Sequence, residues 1–127
     1  MPWQFRNDLP IYTQLIAQIQ QKIVSGALEP GERLPSVRDL AAEAGVNPNT
    51  MQRAMMEMER EDLVYSQRTA GRFVTQDGER IRRLRESLAR NQVKEFLTGM
   101  FQLGFGLEEI LTFVQTEGEM QREHSGD

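Results

Sequence analysis

The chain has 127 residues, 39% of them hydrophobic, no cysteine and a formal net charge of -4, enough for one modest domain, or a small domain with an appendage that needs a partner, and too little for two large cores. The missing cysteines remove disulfides, thiolate metal sites and cysteine nucleophiles, and the lone His124 sits in a polar terminal stretch without ligand spacing, so neither metal nor cofactor is expected. No apolar run approaches the ~20 residues of a membrane span, and Met1 to Leu9 lack a signal-peptide core; a soluble cytoplasmic protein without a membrane partner is expected.

Pro10 can open a helix, after which Ile11, Leu15, Ile16, Ile19 and Ile23 recur on one face until Gly26. Trp3 and Phe5 are expected to pack against that helix, in preference to lining a ligand pocket. Pro30-Gly31 has the composition of a turn. A second helix follows, with Ser36 as N-cap and Val37, Leu40, Ala41 and Ala44 as its buried stripe. Gly45-Val46 breaks it, and Asn47-Pro48 starts a third helix almost at once, with asparagine as cap and proline in the first turn. Two helices joined by so short a glycine-containing turn read as a helix-turn-helix. In the third helix Met51, Ala54, Met55 and Met58 face inward by spacing, while Asn49, Thr50, Gln52 and Arg53 face elsewhere.

From Leu63 the pattern becomes β-favouring, and the segments 63–67 and 72–75 flank Arg68-Thr69-Ala70-Gly71 as a hairpin. Gly71 is read as the one tip residue free for a positive φ. Asp77-Gly78 marks a boundary, giving domains at 1–76 and 77–127. Beyond it Ile81, Leu84, Leu88, Phe96, Met100 and Leu103 follow approximately heptad spacing. Gly104 and Gly106 interrupt the pattern, a final amphipathic helix presents Leu107, Ile110, Leu111 and Val114 on one side, and a fraying polar tail is expected after it. The fold class is therefore mainly α with a small β-wing: a winged helix-turn-helix with a two-helix dimerisation tail.

The run Ile23 to Ala41, with Gly26, Leu28, Pro30-Gly31-Glu32-Arg33-Leu34-Pro35-Ser36, Arg38 and Leu40 in order, resembles the N-terminal signature of the GntR family of transcription regulators. Pro10-Ile11-Tyr12-Thr13-Gln14-Leu15 and Val46-Asn47-Pro48-Asn49-Thr50-Met51-Gln52-Arg53-Ala54 are similar to its YtrA-like subfamily in particular, which also has a short tail of two helices. The close resemblance covers roughly residues 9 to 76, and the tail matches in size and pattern.

This resemblance implies double-stranded DNA as partner, bound by a homodimer at a palindromic operator, with repression as the usual outcome. The residues it brings towards DNA are Arg33, Ser36, Arg38, Asn47, Asn49, Thr50, Gln52, Arg53, Arg68, Thr69, Gly71 and Arg72. Arginine offers a forked donor for phosphate or guanine, and asparagine and glutamine amides suit adenine. Ser36 and Asn47 are expected to cap first, and Arg53 is spaced to pair with Glu57. Pro48 removes a basic contact that relatives often have at this place. On an acidic chain the positive potential must be local: the wing segment carries Arg68 and Arg72 without an acid, whereas Glu57, Glu59, Glu61 and Asp62 gather where the third helix leaves the DNA. A second basic run, Arg80, Arg82, Arg83, Arg85 and Arg90, reads as a solvated face. Two other readings stay open, a sensor with a small-molecule effector between tail and winged helix, and a winged helix serving only as a protein-protein module. No nucleophile-base pair or phosphate-cradling loop supports an enzyme.

Overall fold

The computed structural model describes residues 3–124 and contains, in order, α1 (Ile11–Val24), α2 (Val37–Ala44), α3 (Pro48–Arg60), β1 (Val64–Gln67), β2 (Gly71–Val74), α4 (Gly78–Gln102) and α5 (Leu107–His124). It divides into two compact units, the first reaching Glu86 and the second beginning at Ser87.

In the first unit α1, α2 and α3 surround a core of Leu15, Ile19, Ile23, Leu34, Ala41, Met51, Ala54, Met55 and Met58, closed on the hairpin side by Leu63, Val64 and Val74. Each of the larger side chains contributes about 1.5 to 3 kcal/mol through burial. The stripe on α1 is narrower than its spacing suggests, since Ile11 is exposed and Ile16 half-buried.

Helix ends follow local chemistry. Ser36 Oγ accepts from Asp39 N at 3.1 Å and Asn47 Oδ1 from Asn49 N at 2.7 Å, satisfying first-turn donors that would otherwise lack partners. Gly45, at φ 73°, closes α2, and Val46 N returns to Ala41 O at 3.0 Å. The same closure ends α3 without glycine: Leu63 N reaches Met58 O at 2.9 Å and Asp62 N reaches Glu59 O at 3.0 Å, with Asp62 itself at φ 61°.

The hairpin is antiparallel, with Val64 opposite Val74, Tyr65 opposite Phe73, Ser66 opposite Arg72 and Gln67 opposite Gly71. The loop before α2 extends it on the β2 side, where Leu34 N donates to Arg72 O at 2.8 Å and Val74 N to Glu32 O at 2.9 Å. At the tip Thr69 as well as Gly71 takes a positive φ, 66° and 108° respectively. This corrects the expectation that Gly71 alone would do so; some tight hairpin turns place more than one residue in the left-handed region.

Asp77 Oδ1 caps α4 by accepting from Glu79 N and Arg80 N, both at 3.1 Å. The sequence boundary at 76/77 thus marks a helix start, while the first turns of α4 remain in the first unit, where Ile81 and Leu84 are buried. In the second unit, the end of α4 and α5 share one buried side chain, Ile110, and an edge-to-face pair, Phe105 on Phe113, 5.1 Å between centroids. The polar stretch expected to fray is helical as far as His124, helped by Glu108 and Glu109 in the first turn and Arg122 and His124 in the last; residues 125–127 lie outside the described residues.

Candidate nucleic-acid interface

Arg38 projects from the first turn of α2, exposed and free of any internal hydrogen bond or ion pair among the described residues. Asn49 and Thr50 occupy the first turn of α3 and Gln52 follows after Met51, and none of the hydrogen bonds among the described residues uses their side chains. The opposite face of α3 is fixed in the core by Met51, Ala54, Met55 and Met58. A polar row with open donors and acceptors is therefore carried on a firmly seated helix, at an end that presents free N-H groups and a partial positive charge.

Ser36 and Asn47 spend their side-chain oxygens on the two caps, which occupies Asp39 N and Asn49 N. Arg53 does not pair with Glu57; its guanidinium lies over the Tyr12 ring, 4.4 Å from the centroid, while Glu57 binds Arg60 at 2.7 Å. The cation-π contact ties α3 to the start of α1.

The wing is braced from both sides. Arg33 Nε donates to Ala70 O at 2.9 Å, and a Cβ built on Gly71 would stand 3.2 Å from the same nitrogen, so glycine is favoured there by its φ and a side chain would crowd Arg33. Arg72 does not add open positive charge, because its Nε meets Glu59 Oε1 at 2.7 Å, and Ser66 donates to the same carboxylate at 2.5 Å. The wing segment itself holds no acid, but Glu59 reaches across from α3 and pairs with Arg72. Those hydrogen bonds from Ser66 and Arg72 hold the Glu59 carboxyl below the ordinary range. Glu61 moves the other way, raised first by burial and then by Glu57. Arg68 remains exposed at the tip, its side chain outside all internal hydrogen bonds.

Sequence reading missed Tyr12 and Glu59. Tyr12 gave a weak signal, an aromatic on the first helix outside its apolar stripe; Glu59 gave none, since only the hairpin register brings Ser66 and Arg72 to it. The basic run on α4 is largely compensated where its partners are defined, with Arg82 bound to Glu79 and, at 2.6 Å, to Glu86, and Arg80 Nε donating to Glu61 O at 3.0 Å.

No helix among the described residues is long and apolar enough to cross a membrane, and no cluster of them has the make-up of a metal site. Residues 11–74, the three helices and the hairpin, match the family described as bacterial regulatory proteins, gntR family. The chain belongs to the GntR family. It is 40% identical over 113 residues, 89% of this chain and 93% of the relative, to the uncharacterized HTH-type transcriptional regulator YhcF of Bacillus subtilis. To the HTH-type transcriptional repressor YtrA of the same organism it is 30% identical, covering 87% of this chain and 85% of that one, which agrees with the YtrA-like subfamily. Among solved structures, a GntR family transcriptional regulator from Listeria monocytogenes superposes with TM-score 0.82 at 38% identity, over 88% of this chain and 98% of the other. AraR(DBD) in complex with operator ORX1 matches 59% of this chain and 99% of its own, with TM-score 0.52 and 26% identity. This GntR-family chain is a helix-turn-helix transcription regulator and not an enzyme.

Proposed function

We propose that this GntR-family regulator is a cytoplasmic repressor that binds a roughly palindromic operator as a homodimer. The observation that carries the reading is the polar face of α3: Asn49, Thr50 and Gln52 stand open on a helix whose other side is locked in the core, and the similar AraR domain is held by an operator. α3 enters the major groove, Arg38 takes phosphate or guanine, and Arg68 at the wing tip follows the backbone or the minor groove. Arg33 and Arg72 support the wing, Gly71 and Thr69 shape its tip, and Ser36 and Asn47 cap the helix ends whose remaining free N-H groups meet phosphate.

Pairing comes from the second unit. Val93, Phe96, Phe101, Leu103, Leu107, Leu111, Phe113 and Val114 are all exposed, and α4 and α5 leave an apolar groove of about 550 Å³ between them. So much apolar surface on one helical pair calls for a partner, and a second copy supplies the same surface with two-fold symmetry. Leu88 and Met100 on α4 are half-buried, whereas Ile81, Leu84 and Ile110 are buried inside the chain and act as supports.

Selection of bound fragments from random DNA tests the reading. The expected product is an inverted repeat with half-site centres about one helical turn, ~34 Å, apart, bound with an affinity that falls steeply with salt. Recovery of no enriched sequence, or of salt-insensitive binding, would remove operator recognition and leave the winged helix as a protein-protein module.

A further inference from the structure

Behind α3, wholly within the first unit, lies a cavity of about 220 Å³ with walls from α1, α2 and α3, including the buried Met51 and Met55. Its walls are mostly apolar, and its charged groups are Lys22, Glu32 and Glu43. Lys22 is unusual among them. It is 6% exposed, yet its ammonium makes no hydrogen bond or ion pair among the described residues; its defined contact is the face of Trp3, 4.3 Å from the ring centroid. The carboxylates are already engaged, Glu43 accepting from Trp3 Nε1 at 3.4 Å and Glu32 from Glu29 N at 2.8 Å.

Trp3 is carried by an extended arm that α1 holds through its backbone. Gln18 exchanges hydrogen bonds with Gln4, receiving from Gln4 N at 3.2 Å and donating to Gln4 O at 2.5 Å. Gln14 does the same for Arg6, at 2.7 and 2.9 Å. Gln14, Gln18 and Lys22 are spaced four apart, so one stripe of α1 first anchors the arm and then offers a cation to the indole at its end. The arm stays tied if the ring swings away, because the two glutamines hold the backbone of Gln4 and Arg6.

We infer that this cavity is a binding site for a small aromatic monocarboxylate, whose carboxylate takes the Lys22 ammonium in place of the Trp3 ring. A charge-assisted hydrogen bond to the ammonium of a lysine that is 6% exposed outweighs the weak contact it replaces. Glu32 and Glu43 repel a second negative charge, which excludes dicarboxylates and phosphate esters. An aromatic body suits the chamber because methionine sulfur contacts ring edges favourably and adapts to their shape. Met51 and Met55 share α3 with Asn49, Thr50 and Gln52, so occupancy alters the seat of the candidate DNA-reading face. That last step rests on the proposed operator binding; the binding site itself does not.

The full chain is titrated with 3-phenylpropionate in the absence of DNA, following calorimetric heat and the emission of Trp3, the single tryptophan. Saturable binding with a red shift of the emission is expected, as the indole moves into water. The neutral 3-phenylpropionamide, the dianion phthalate and the Lys22→Met variant should each weaken binding about tenfold or more. Equal affinity for acid and amide on the unaltered protein, or no saturation, overturns the site whether or not Lys22→Met folds. Saturating 3-phenylpropionate should also change operator affinity about threefold or more, roughly half of a tenfold step in free energy; unchanged affinity with ligand bound overturns the coupling alone.

Discussion

Arg38, in the proposed operator binding, and the two capping residues separate a side chain offered to DNA from side chains that serve the fold. Arg38 has no internal partner, so its removal leaves the folded chain nothing to lose, while an arginine on phosphate or guanine is worth about 1 to 3 kcal/mol. Arg38→Ala should therefore weaken operator binding about tenfold or more with the melting temperature unchanged, read by gel-shift titration at fixed salt. Asn47 behaves in the opposite way: its cap on Asn49 N is worth about 1 kcal/mol, and Asn47→Ala should lower the unfolding free energy, read from chemical denaturation, by that amount. Asp62 stores strain at φ 61° where helices commonly place glycine, and Asp62→Gly should raise stability by about 0.5 to 1 kcal/mol. The caps were legible in the sequence because capping chemistry acts over two or three residues. The Asp62 closure was not, since its aspartate disguises a glycine position.

The hairpin shows how an element takes its function from outside itself. Its strands and tip were legible from β-favouring runs around Arg68 to Gly71, but its bracing by Arg33 and Glu59 depends on residues 37 and 13 positions away from their partners. No local pattern announces such pairs. The Glu59 brace also sets a pH dependence. Its folded-state carboxyl titrates below the ordinary range, chiefly because Ser66 and then Arg72 bind the ionised form. The stability it contributes is therefore present above the unfolded value, about 4.3, and is lost as pH falls through the lower folded value. Denaturation midpoints measured from pH 7 to 3 should fall with acid, and Glu59→Gln should be less stable at pH 7 with a shallower fall. Glu57 and Glu79, also lowered by their arginines, keep part of the slope in that variant. An unaltered profile would mean that the ion pair does not brace the wing.

For the whole molecule, the proposed homodimer makes the second unit the part that brings two candidate DNA-reading surfaces together. Its heptad-like spacing was legible, but spacing alone did not distinguish residues that serve the chain from those left for a partner: Ile81, Leu84 and Ile110 are consumed internally, while Leu103 is 72% and Leu111 58% exposed. That difference chooses the variants. Leu111→Glu and Val93→Glu place charge on surface already in water, so the chain should keep its helical content while the homodimer dissociates, seen by sedimentation as a single species of chain mass. A dimer engaging two half-sites neutralises about twice as many phosphates as one winged helix, and the slope of log affinity against log salt is proportional to that number. Both variants should therefore bind operator DNA more weakly, with a salt slope near half that of the parent. Dimers that persist in both would place the interface elsewhere. Monomers that retain the full slope would show that one winged helix makes all the phosphate contacts, and the palindrome would lose its physical basis.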